Sequence, residues 1–352
     1  YEVSAGDVDW LFVPLEAAAR MRASFILLGP LLARFGRVII SNPGGDRIGR
    51  RPVDLHVEAM QALGATIEYR NGYYFAQAPG RLRGGDVVFP FVTVMGTENA
   101  MLAATLADGH TTIRPAAQEP EIDDLISLLQ EMGAEVERTA PDVIEVEGRR
   151  RLRGATHDTV ADRIEAGTFA VAAAITGGEV TLQGAPCEHL SAFLDVLEQV
   201  GVEVSGEGAR ITVRSTQPGA YTATDIETGA YPGLATDLQP PMGVLLTQAR
   251  GRSTVHETIY EDRLEWLTDL GRMGAQAEIL DAHHAIINGP ARLLGAEVEV
   301  SDLRAGASLI LGALAAEGTS TIHGMHHVRR GYETLEDKLL DLGAAIYHDP
   351  KD

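Results

Sequence analysis

A repeated dipeptide, Gly-Ala or Gly-Val, most limits what this chain can fold into. It follows a stretch that contains leucine or methionine and recurs at a nearly constant interval. It occurs at Gly64-Ala65, Gly133-Ala134, Gly201-Val202, Gly274-Ala275 and Gly343-Ala344, with 68 to 73 residues between successive glycines. Solenoid repeats are shorter, about 20–50 residues each. We therefore expect about five copies of one small module of strands and helices.

The second copy shows the order of parts within the module. The pattern predicts an apolar helix around residues 100–107, a strand over residues 111–114, an amphipathic helix over residues 123–132 and then two alternating strands joined by a hairpin. The first helix has almost no polar face and should be buried, whereas the second should lie outside. A similar sequence pattern recurs around residues 25–40, 169–182 and 309–322. This order predicts a soluble α/β protein.

The charge balance excludes some classes of partner. The chain has 50 acidic and 29 basic residues and a formal net charge of −21. Nucleic acids and anionic membranes attract clustered positive charge, so we expect neither as a partner. No apolar run reaches the roughly 18 residues of a membrane-spanning helix. The single cysteine, Cys187, cannot form an internal disulfide and fits a reducing cytoplasm.

The sequence contains no convincing metal or cofactor motif. His56, the pair His283-His284 and the pair His326-His327 lack a third ligand at metal-binding spacing. Neither the dinucleotide-binding glycine pattern nor the phosphate-binding Walker pattern occurs. We therefore expect no metal and no organic cofactor.

Seven segments resemble the enolpyruvyl transferases, and they follow one another in that family's order. They are residues 21–24 (MRAS), 43–49 (PGGDRIG), 51–56 (RPVDLH), 162–169 (DRIEAGTF), 236–239 (TDLQ), 301–305 (SDLRA) and 330–333 (RGYE). Each segment alone is a weak signal, but the ordered set is specific and extends over the whole chain.

The resemblance implies a fold of two inside-out α/β domains built from repeated βαβαββ units. We expect a first domain over residues 1–161 and a second over residues 162–352, with residues 162–165 at the crossover and hinge. The family has six units and the repeat here has five. We therefore interpret the chain, which does not begin with Met, as truncated at its N-terminus. The missing unit would carry the family's Lys-Asn pair that contacts phosphoenolpyruvate.

The resemblance also implies an activity. Within the family the closest similarity is to members that transfer the enolpyruvyl group of phosphoenolpyruvate to the 3-hydroxyl of UDP-N-acetylglucosamine and release phosphate. This is the first committed step of peptidoglycan synthesis, in the cytoplasm. It needs no cofactor because phosphoenolpyruvate itself brings the reactive group. Two alternatives stay open: a shikimate-pathway member of the family, and a paralogue or fragment that binds the nucleotide sugar without turnover.

Two acids are candidate catalytic residues. Asp46 lies in a loop with three glycines that can move as a lid, at a position where the family commonly has cysteine, and it is the candidate general acid. With a carboxylate there, we expect the epoxide fosfomycin, which alkylates the family's cysteine, to fail. Asp237, at an expected strand-to-helix junction, is the candidate general base. The simpler interpretations are a turn residue for Asp46 and a helix N-cap for Asp237.

Four arginines stand out in so acidic a chain, because guanidinium groups bind phosphate and carboxylate by paired hydrogen bonds. By resemblance, phosphoenolpyruvate would contact Arg51, Arg304 and Arg330. The nucleotide sugar would contact Arg22, Arg51, Pro52, Val53, Asp54, Leu55, Val92, Thr93, Val94, Asp237 and Ile259. Phe91 and Met95 depart from the family pattern beside this set. We expect these residues to share one cleft; the alternative is that the arginines form ordinary surface salt bridges.

Overall fold

The structure, a computed structural model, describes residues 1–8, 11–215 and 220–347. It contains one small β-sheet for each of the five predicted modules. The chain divides into two units. The first contains Tyr1–Asp46 and Arg51–Val160, and the second contains Arg47–Arg50 and Ala161–Asp352. The expected domains, residues 1–161 and 162–352, differ from this division at residue 161 and in the four-residue segment Arg47–Arg50.

The first unit contains two complete modules. The elements of the first module are β1 (Phe12–Val13), α1 (Leu15–Ala18), α2 (Leu28–Phe35), β2 (Arg37–Ser41), α3 (Asp54–Ala62), β3 (Thr66–Arg70) and β4 (Tyr73–Gln77). Those of the second are β5 (Asp86–Val88), α4 (Val94–Ala104), β6 (His110–Arg114), α5 (Pro120–Glu131), β7 (Glu135–Ala140) and β8 (Val143–Glu147). The strand orders are β1-β2-β4-β3 and β5-β6-β8-β7. In both sheets the first two strands are parallel and the last two form an antiparallel hairpin.

The second unit contains three modules whose elements follow the same order, although among the described residues the third has no first strand and the fifth has no final hairpin. The third module has α6 (Arg163–Thr176), β9 (Glu179–Gln183), α7 (Ser191–Val200), β10 (Glu203–Glu207) and β11 (Arg210–Arg214). The fourth has β12 (Ile226–Glu227), α8 (Gln239–Leu246), β13 (Gly251–His256), α9 (Trp266–Arg272), β14 (Gln276–Ile279) and β15 (His284–Gly289). The fifth has β16 (Glu297–Glu299), α10 (Leu303–Ala315), β17 (Thr321–His323) and α11 (Leu335–Asp341). The fourth sheet repeats the four-stranded order of the first unit, as β12-β13-β15-β14.

The glycine of the repeated dipeptide has a structural role in every module. Gly64, Gly133, Gly201, Gly274 and Gly343 follow the second helix of their modules, and their φ angles lie between 87° and 101°. This left-handed conformation satisfies the last carbonyls of a helix and disfavours any residue with a Cβ. The repeat in the sequence is therefore a repeat of helix ends.

The first helix of each module lies inside its unit. All eight residues of α8 are buried, as are 11 of the 14 residues of α6. In the second unit α6, α8 and α10 pack against one another, and in the first unit α4 packs against α2 and α3. Each unit has its own core. The predicted inside-out α/β arrangement, with apolar helices in the centre, is confirmed.

Some predicted bounds are wrong. The first helix of the second module is Val94–Ala104, several residues earlier than predicted. Thr93 is its N-cap, because the Thr93 side chain accepts a hydrogen bond from Gly96 N. The amphipathic helix begins at Pro120 instead of residue 123. Proline is favoured in a first helical turn because its missing N–H would have no partner there.

Candidate active site

Two of the predicted arginines, Arg22 and Arg51, lie together in the first unit. Arg22 begins a 3-10 turn, Arg22–Leu27, that leads into α2, and its Nη2 donates to the carbonyl of Pro52 at 2.9 Å. A Cβ placed on Gly45 would lie 3.1 Å from Arg22 Cβ and 3.4 Å from Arg51 Nη1. The glycine-rich loop therefore passes directly beside the Cβ of Arg22 and the guanidinium group of Arg51.

Asp46 follows Gly45 and is half-buried, in a stretch without regular structure that extends to the start of α3. On one side of it, Gly44 approaches Ala19 so closely that a Cβ would lie 1.8 Å from the Ala19 carbonyl oxygen. The left-handed φ of 111° at Gly45 also excludes most other residues. The loop thus needs glycine for both its path and its packing.

The segment Arg47–Arg50 belongs to the second unit. There the amide of Arg50 donates to Glu261 Oε2 at 3.1 Å, and the amide of Asp262 donates to the carbonyl of Ile48 at 3.3 Å. Ile48 is buried. The residues on the C-terminal side of Asp46 are therefore held by packing and hydrogen bonds of their own.

A buried histidine and asparagine connect the elements that follow Arg22 and Arg51. Asn99 Oδ1 accepts from the amide of Gly29, so its Nδ2 donates, both to the carbonyl of Phe25 and to His56 Nδ1, at 3.0 Å each. Burial, and then the charge of Arg22, lowers the pKa of His56 to about 4, so its ring is neutral near pH 7. Neutral His56 links α3, which follows Arg51, to α4.

The predicted nucleotide segment Val92, Thr93 and Val94 forms the N-terminus of α4. The first amides of a helix have no partners within it and favour anions. Thr93 Oγ1 accepts from only one of them, Gly96 N. Phe91, just before this segment, is 63% exposed. The structure thus offers backbone donors and an exposed aromatic ring at this position.

The remaining nucleotide-sugar candidates of the first unit follow Arg51 directly. Pro52 supplies the carbonyl that Arg22 contacts, Val53 is buried, and Asp54 and Leu55 open α3. Arg51 therefore lies three residues before the start of a helix at Asp54.

In the second unit Asp237 binds two arginines. It lies in a 3-10 turn, Thr236–Leu238, nine residues beyond the end of β12 and directly before α8. Its Oδ1 accepts from Arg263 Nη2 at 2.6 Å, and its Oδ2 lies 3.5 Å from Arg304 Nη2. The helix N-cap interpretation is wrong, because α8 has no side-chain cap. The carboxylate is 39% exposed and so remains open to a ligand.

The arginines decide the ionisation of Asp237. Burial by itself would raise the pKa of this carboxyl, but the charges of Arg304 and Arg263 outweigh burial and lower it, with a smaller effect of Arg163 in the same direction. Asp237 is therefore ionised at neutral pH, as a base must be before it accepts a proton.

Arg304 is held from several sides but keeps an unused donor. It lies at the start of α10, where Asp302 caps the helix by accepting from the amides of Arg304 and Ala305. Burial by itself would lower the pKa of Arg304. The nearby carboxylate of Asp237 and the Tyr332 hydroxyl outweigh burial and raise this pKa, so the guanidinium stays charged. Its guanidinium carbon lies 5.2 Å from the centre of the Tyr332 ring. Among the described residues, its buried Nη1 has no hydrogen-bond partner.

Arg330 and Ile259 complete the predicted residues of the second unit. Arg330 ends a 3-10 turn, Val328–Arg330, two residues before Tyr332, and is exposed. Ile259 is 39% exposed on the loop after β13. Its amide donates to Glu257, which also accepts from Thr236 beside Asp237. The structure therefore brings Asp237, Arg304 and Ile259 onto neighbouring elements.

Arg263 could not be selected from the sequence. It is the closest cation to Asp237 and its side chain is 4% exposed. The only signal in the sequence was a lone arginine among acidic residues, Glu261-Asp262-Arg263, which is equally typical of a surface salt bridge. Residues 162–165 are the predicted crossover and hinge. Asp162 caps α6, and the charge of Arg163 lowers the pKa of Asp237.

Across residues 1–8, 11–215 and 220–347, no group of three or more His, Cys, Asp or Glu side chains is arranged to hold a metal ion. In the same part of the chain, no helix combines the length and hydrophobicity needed to cross a bilayer.

Comparison with known proteins gives the family. The sequence profile of EPSP synthase (3-phosphoshikimate 1-carboxyvinyltransferase) matches residues 3–339. A UDP-N-acetylglucosamine 1-carboxyvinyltransferase of Paramagnetospirillum magneticum is 46% identical over 98% of this chain and 79% of its own length. One of Solibacter usitatus is 48% identical over 95% of this chain and 79% of its own length.

Solved structures give the same fold. The enolpyruvyl transferase NikO from Streptomyces tendae matches with a TM-score of 0.85 at 23% identity, over 96% of this chain and 80% of its own. EPSP synthase from Acinetobacter baumannii matches with a TM-score of 0.71 at 21% identity, over 92% and 78%. The buried helices inside each unit, the repeated sheets and these matches together show that the chain belongs to the EPSP synthase family of enolpyruvyl transferases.

Proposed function

We propose that this chain transfers the enolpyruvyl group of phosphoenolpyruvate to the 3-hydroxyl of UDP-N-acetylglucosamine and releases phosphate. The observation that carries the proposal is the carboxylate of Asp237, held ionised between Arg263 and Arg304, in a chain 46–48% identical to proteins named for this reaction. The reaction would supply the first committed step of peptidoglycan synthesis in the cytoplasm.

The chemistry needs one base and one acid. The acceptor oxygen attacks C2 of phosphoenolpyruvate as its proton leaves, and a proton is added to C3, which becomes a methyl group. Loss of phosphate from C2 and of a proton from C3 then restores the double bond, now in an enolpyruvyl ether. We assign removal of the hydroxyl proton to Asp237. We assign proton delivery to C3 and assistance to the departing phosphate to Asp46.

The pairing of Asp237 with two arginines supports its role as base. An ionised carboxylate that is 39% exposed can reach a ligand while its other contacts fix its direction. A positioned base of this kind contributes about 10²–10⁴ in rate. The low pKa makes Asp237 a weak base, so its effect depends on positioning rather than on basicity.

The positive groups account for binding of the anionic substrates. The buried Nη1 of Arg304, which has no hydrogen-bond partner in the described part of the chain, is a donor suited to a carboxylate or phosphate oxygen. We propose that Arg304, Arg330 and Arg51 bind phosphoenolpyruvate. Arg22, the segment from Arg51 to Leu55 and the N-terminus of α4 would bind the nucleotide diphosphate sugar, with Ile259 against its sugar.

A shikimate-type activity is the second candidate, because the matching family profile is described as 3-phosphoshikimate 1-carboxyvinyltransferase. The two candidates differ in acceptor, not in donor. The relatives at 46–48% identity favour the nucleotide sugar.

Phosphate release with each acceptor tests the proposal. We expect release from phosphoenolpyruvate with UDP-N-acetylglucosamine and none with shikimate 3-phosphate. Asp237→Asn keeps the shape of the side chain and should lower kcat by about 10²–10⁴. Asp225→Asn is the matched control, because Asp225 is an exposed carboxylate of the same unit that accepts from the amide of Thr254. Turnover of the shikimate acceptor alone would contradict the proposal. Calorimetric binding of the nucleotide sugar without any turnover would instead support a non-catalytic paralogue.

A further inference from the structure

Glu257 is a fully buried carboxylate that joins two loops of the second unit. Its Oε2 accepts a hydrogen bond from the hydroxyl of Thr236 at 2.9 Å. Its Oε1 accepts from the backbone amides of Ile259 and Tyr260 at 2.9 and 3.3 Å. One carboxylate therefore connects the short turn that contains Asp237 to the loop that contains Ile259.

The backbone on both sides of this carboxylate is itself fixed. The amide of Glu257 donates to the carbonyl of His283 at 2.8 Å, and His283 Nδ1 donates back to the carbonyl of Glu257 at 2.7 Å. The next residue, Thr258, is bound twice to Thr228, through its amide at 2.9 Å and its hydroxyl at 2.8 Å. The carboxylate thus acts from a fixed position and cannot simply follow the loops that it holds.

The contact to Thr236 matters because the turn is so short. Thr236–Leu238 has only three residues, and no side-chain cap precedes it. Asp237 in the middle of the turn points to Arg263 and Arg304. A hydrogen bond on the neighbouring residue therefore limits how far the Asp237 side chain can rotate away from these guanidinium groups.

A buried carboxylate has a high desolvation cost for a purely structural link. A buried polar group costs free energy unless it is fully hydrogen-bonded, and a buried charge costs more. A carboxylate offers two equivalent acceptor oxygens, and here each of them binds one of the two loops. The length of Glu lets one residue reach both loops.

We propose that Glu257 is a positioning residue for the transfer reaction: through Thr236 it orients the Asp237 side chain, and through the amides of Ile259 and Tyr260 it places the loop beside the acceptor sugar. This inference rests on the proposed function for the identity of the acceptor. The link between the two loops does not depend on it.

Substitutions at Thr236 test the link from its far side. Thr236→Val keeps the shape but removes the hydroxyl, and we expect kcat to fall about 10- to 100-fold, since small misplacements of catalytic groups have effects of that size. Thr236→Ser keeps the hydroxyl and should retain most of the activity. The matched control is Thr181→Val, which breaks a 3.0 Å hydroxyl pair with Thr212 elsewhere in the unit and should leave kcat unchanged.

The pH profile separates positioning from a general loss of stability. When Asp237 rotates away from the two arginines, its pKa rises, and the acid limb of kcat for Thr236→Val should move to higher pH. A loss of folded protein would lower kcat equally at every pH. Glu257→Ala should in addition raise KM for UDP-N-acetylglucosamine, because the Ile259 loop is released. Glu257→Gln should rescue both, since its oxygen can accept from the amides and its Nε2 can donate to Thr236.

Hydrogen–deuterium exchange supplies a readout that needs no activity. In Thr236→Val, which removes only one hydroxyl and should fold, the amides of residues 236–238 should exchange faster than in the wild type, while Thr181→Val changes nothing there. Glu257→Ala, if it folds, should also speed exchange at Ile259 and Tyr260. If exchange and pH profile of Thr236→Val match those of the Thr181 control, the proposal is overturned. Faster exchange in a chain that never turns over UDP-N-acetylglucosamine would refute the proposed function and leave the link standing.

Discussion

The arginines around Asp237 determine the pH range in which this carboxylate can act as a base. Because Arg304 and Arg263 lower its pKa, Asp237 loses its proton below the ordinary range of an aspartate. In Arg263→Met the guanidinium at 2.6 Å is gone, so burial is less opposed and the pKa rises. We expect the acid limb of kcat against pH to move to higher pH in this variant.

The control for this shift is Arg292→Met, which removes an exposed arginine paired with Glu317 in the same unit. Its kcat profile should match that of the wild type. Identical acid limbs in the Arg263 and Arg292 variants would mean that Asp237 does not limit the rate at low pH.

Asp46 predicts resistance to an epoxide inhibitor. Fosfomycin alkylates a cysteine in the family's glycine-rich loop, and a carboxylate is a much poorer nucleophile than a thiolate. We expect intact-mass spectrometry to find no adduct on the wild type and one adduct on Asp46→Cys. Peptide mapping should place the adduct at residue 46 and leave the natural cysteine, Cys187, unmodified. An adduct on Asp46 of the wild type would refute this prediction.

Glu98 on α4 makes the first unit sensitive to pH. Burial, and then the charges of Glu121 and Glu119, raises its pKa to about 7. The folded state therefore holds this proton more tightly than the unfolded chain. The stabilising contribution is complete below about pH 4 and is lost as pH rises through about 7.

Glu98→Gln imitates the protonated side chain and should remove this loss. We expect the variant to be more stable than the wild type at pH 8, by up to about 3 kcal/mol from the linkage relation, and equally stable near pH 4. Urea unfolding at both pH values measures the difference. Glu137→Gln, an exposed substitution on β7 of the same unit, should show no such pH dependence.

At the scale of single elements, the conformation at the helix ends explains why the repeated residue is glycine. Gly201 follows α7 with φ of 101°, and apart from its chain neighbours no atom of the described residues lies within 4 Å of a Cβ placed there. Gly201→Ala should therefore destabilise the protein through backbone conformation alone, by about 1–2 kcal/mol. Gly271 lies within α9, is equally uncrowded and has no left-handed φ. Gly271→Ala should instead stabilise by about 0.5–1 kcal/mol.

Thermal or urea unfolding measures both substitutions, and each serves as the control for the other. The same added methyl group should give opposite signs at the two positions. Destabilisation at both would mean that the sign of φ does not decide the effect.

The element order could be predicted from sequence because it depends on local signals. The glycine helix ends and the contrast between fully apolar and one-sided helices both follow from short stretches of chain. The bounds of α4 and α5 could not, since a threonine cap and an N-terminal proline shift a helix start without changing its apolar pattern.

The site was harder to predict because its contacts are distant in sequence. Resemblance to the family selected Asp237 and Arg304, but the pairing of Asp237 with Arg263, 26 residues away, is visible only after folding. The buried carboxylate of Glu257 was missed for the same reason. Its position directly after an alternating strand gives no sign that two loops will bind it.

At the scale of the whole molecule, the net charge opposes the proposed ligands. The chain carries a formal charge of −21, while phosphoenolpyruvate and UDP-N-acetylglucosamine are both anions. Arginines such as Arg304 can attract an anion only at short range, where hydrogen bonds form. Farther from the site, but within about one Debye length of the surface, the summed field of the protein acts on an approaching ligand.

Salt should therefore speed the association of an anionic ligand with this protein. Raising ionic strength from about 0.01 M to about 0.15 M shortens the Debye length from about 30 Å to about 8 Å. This screens the long-range repulsion while the hydrogen bonds to arginine persist at contact. We expect the association rate of UDP-N-acetylglucosamine, measured by stopped-flow mixing, to rise over this range. Uridine, which has the same base but no charge, is the control and should bind at a rate independent of salt. A rate that falls with salt, as for oppositely charged partners, would mean that the local field of the arginines already dominates at long range.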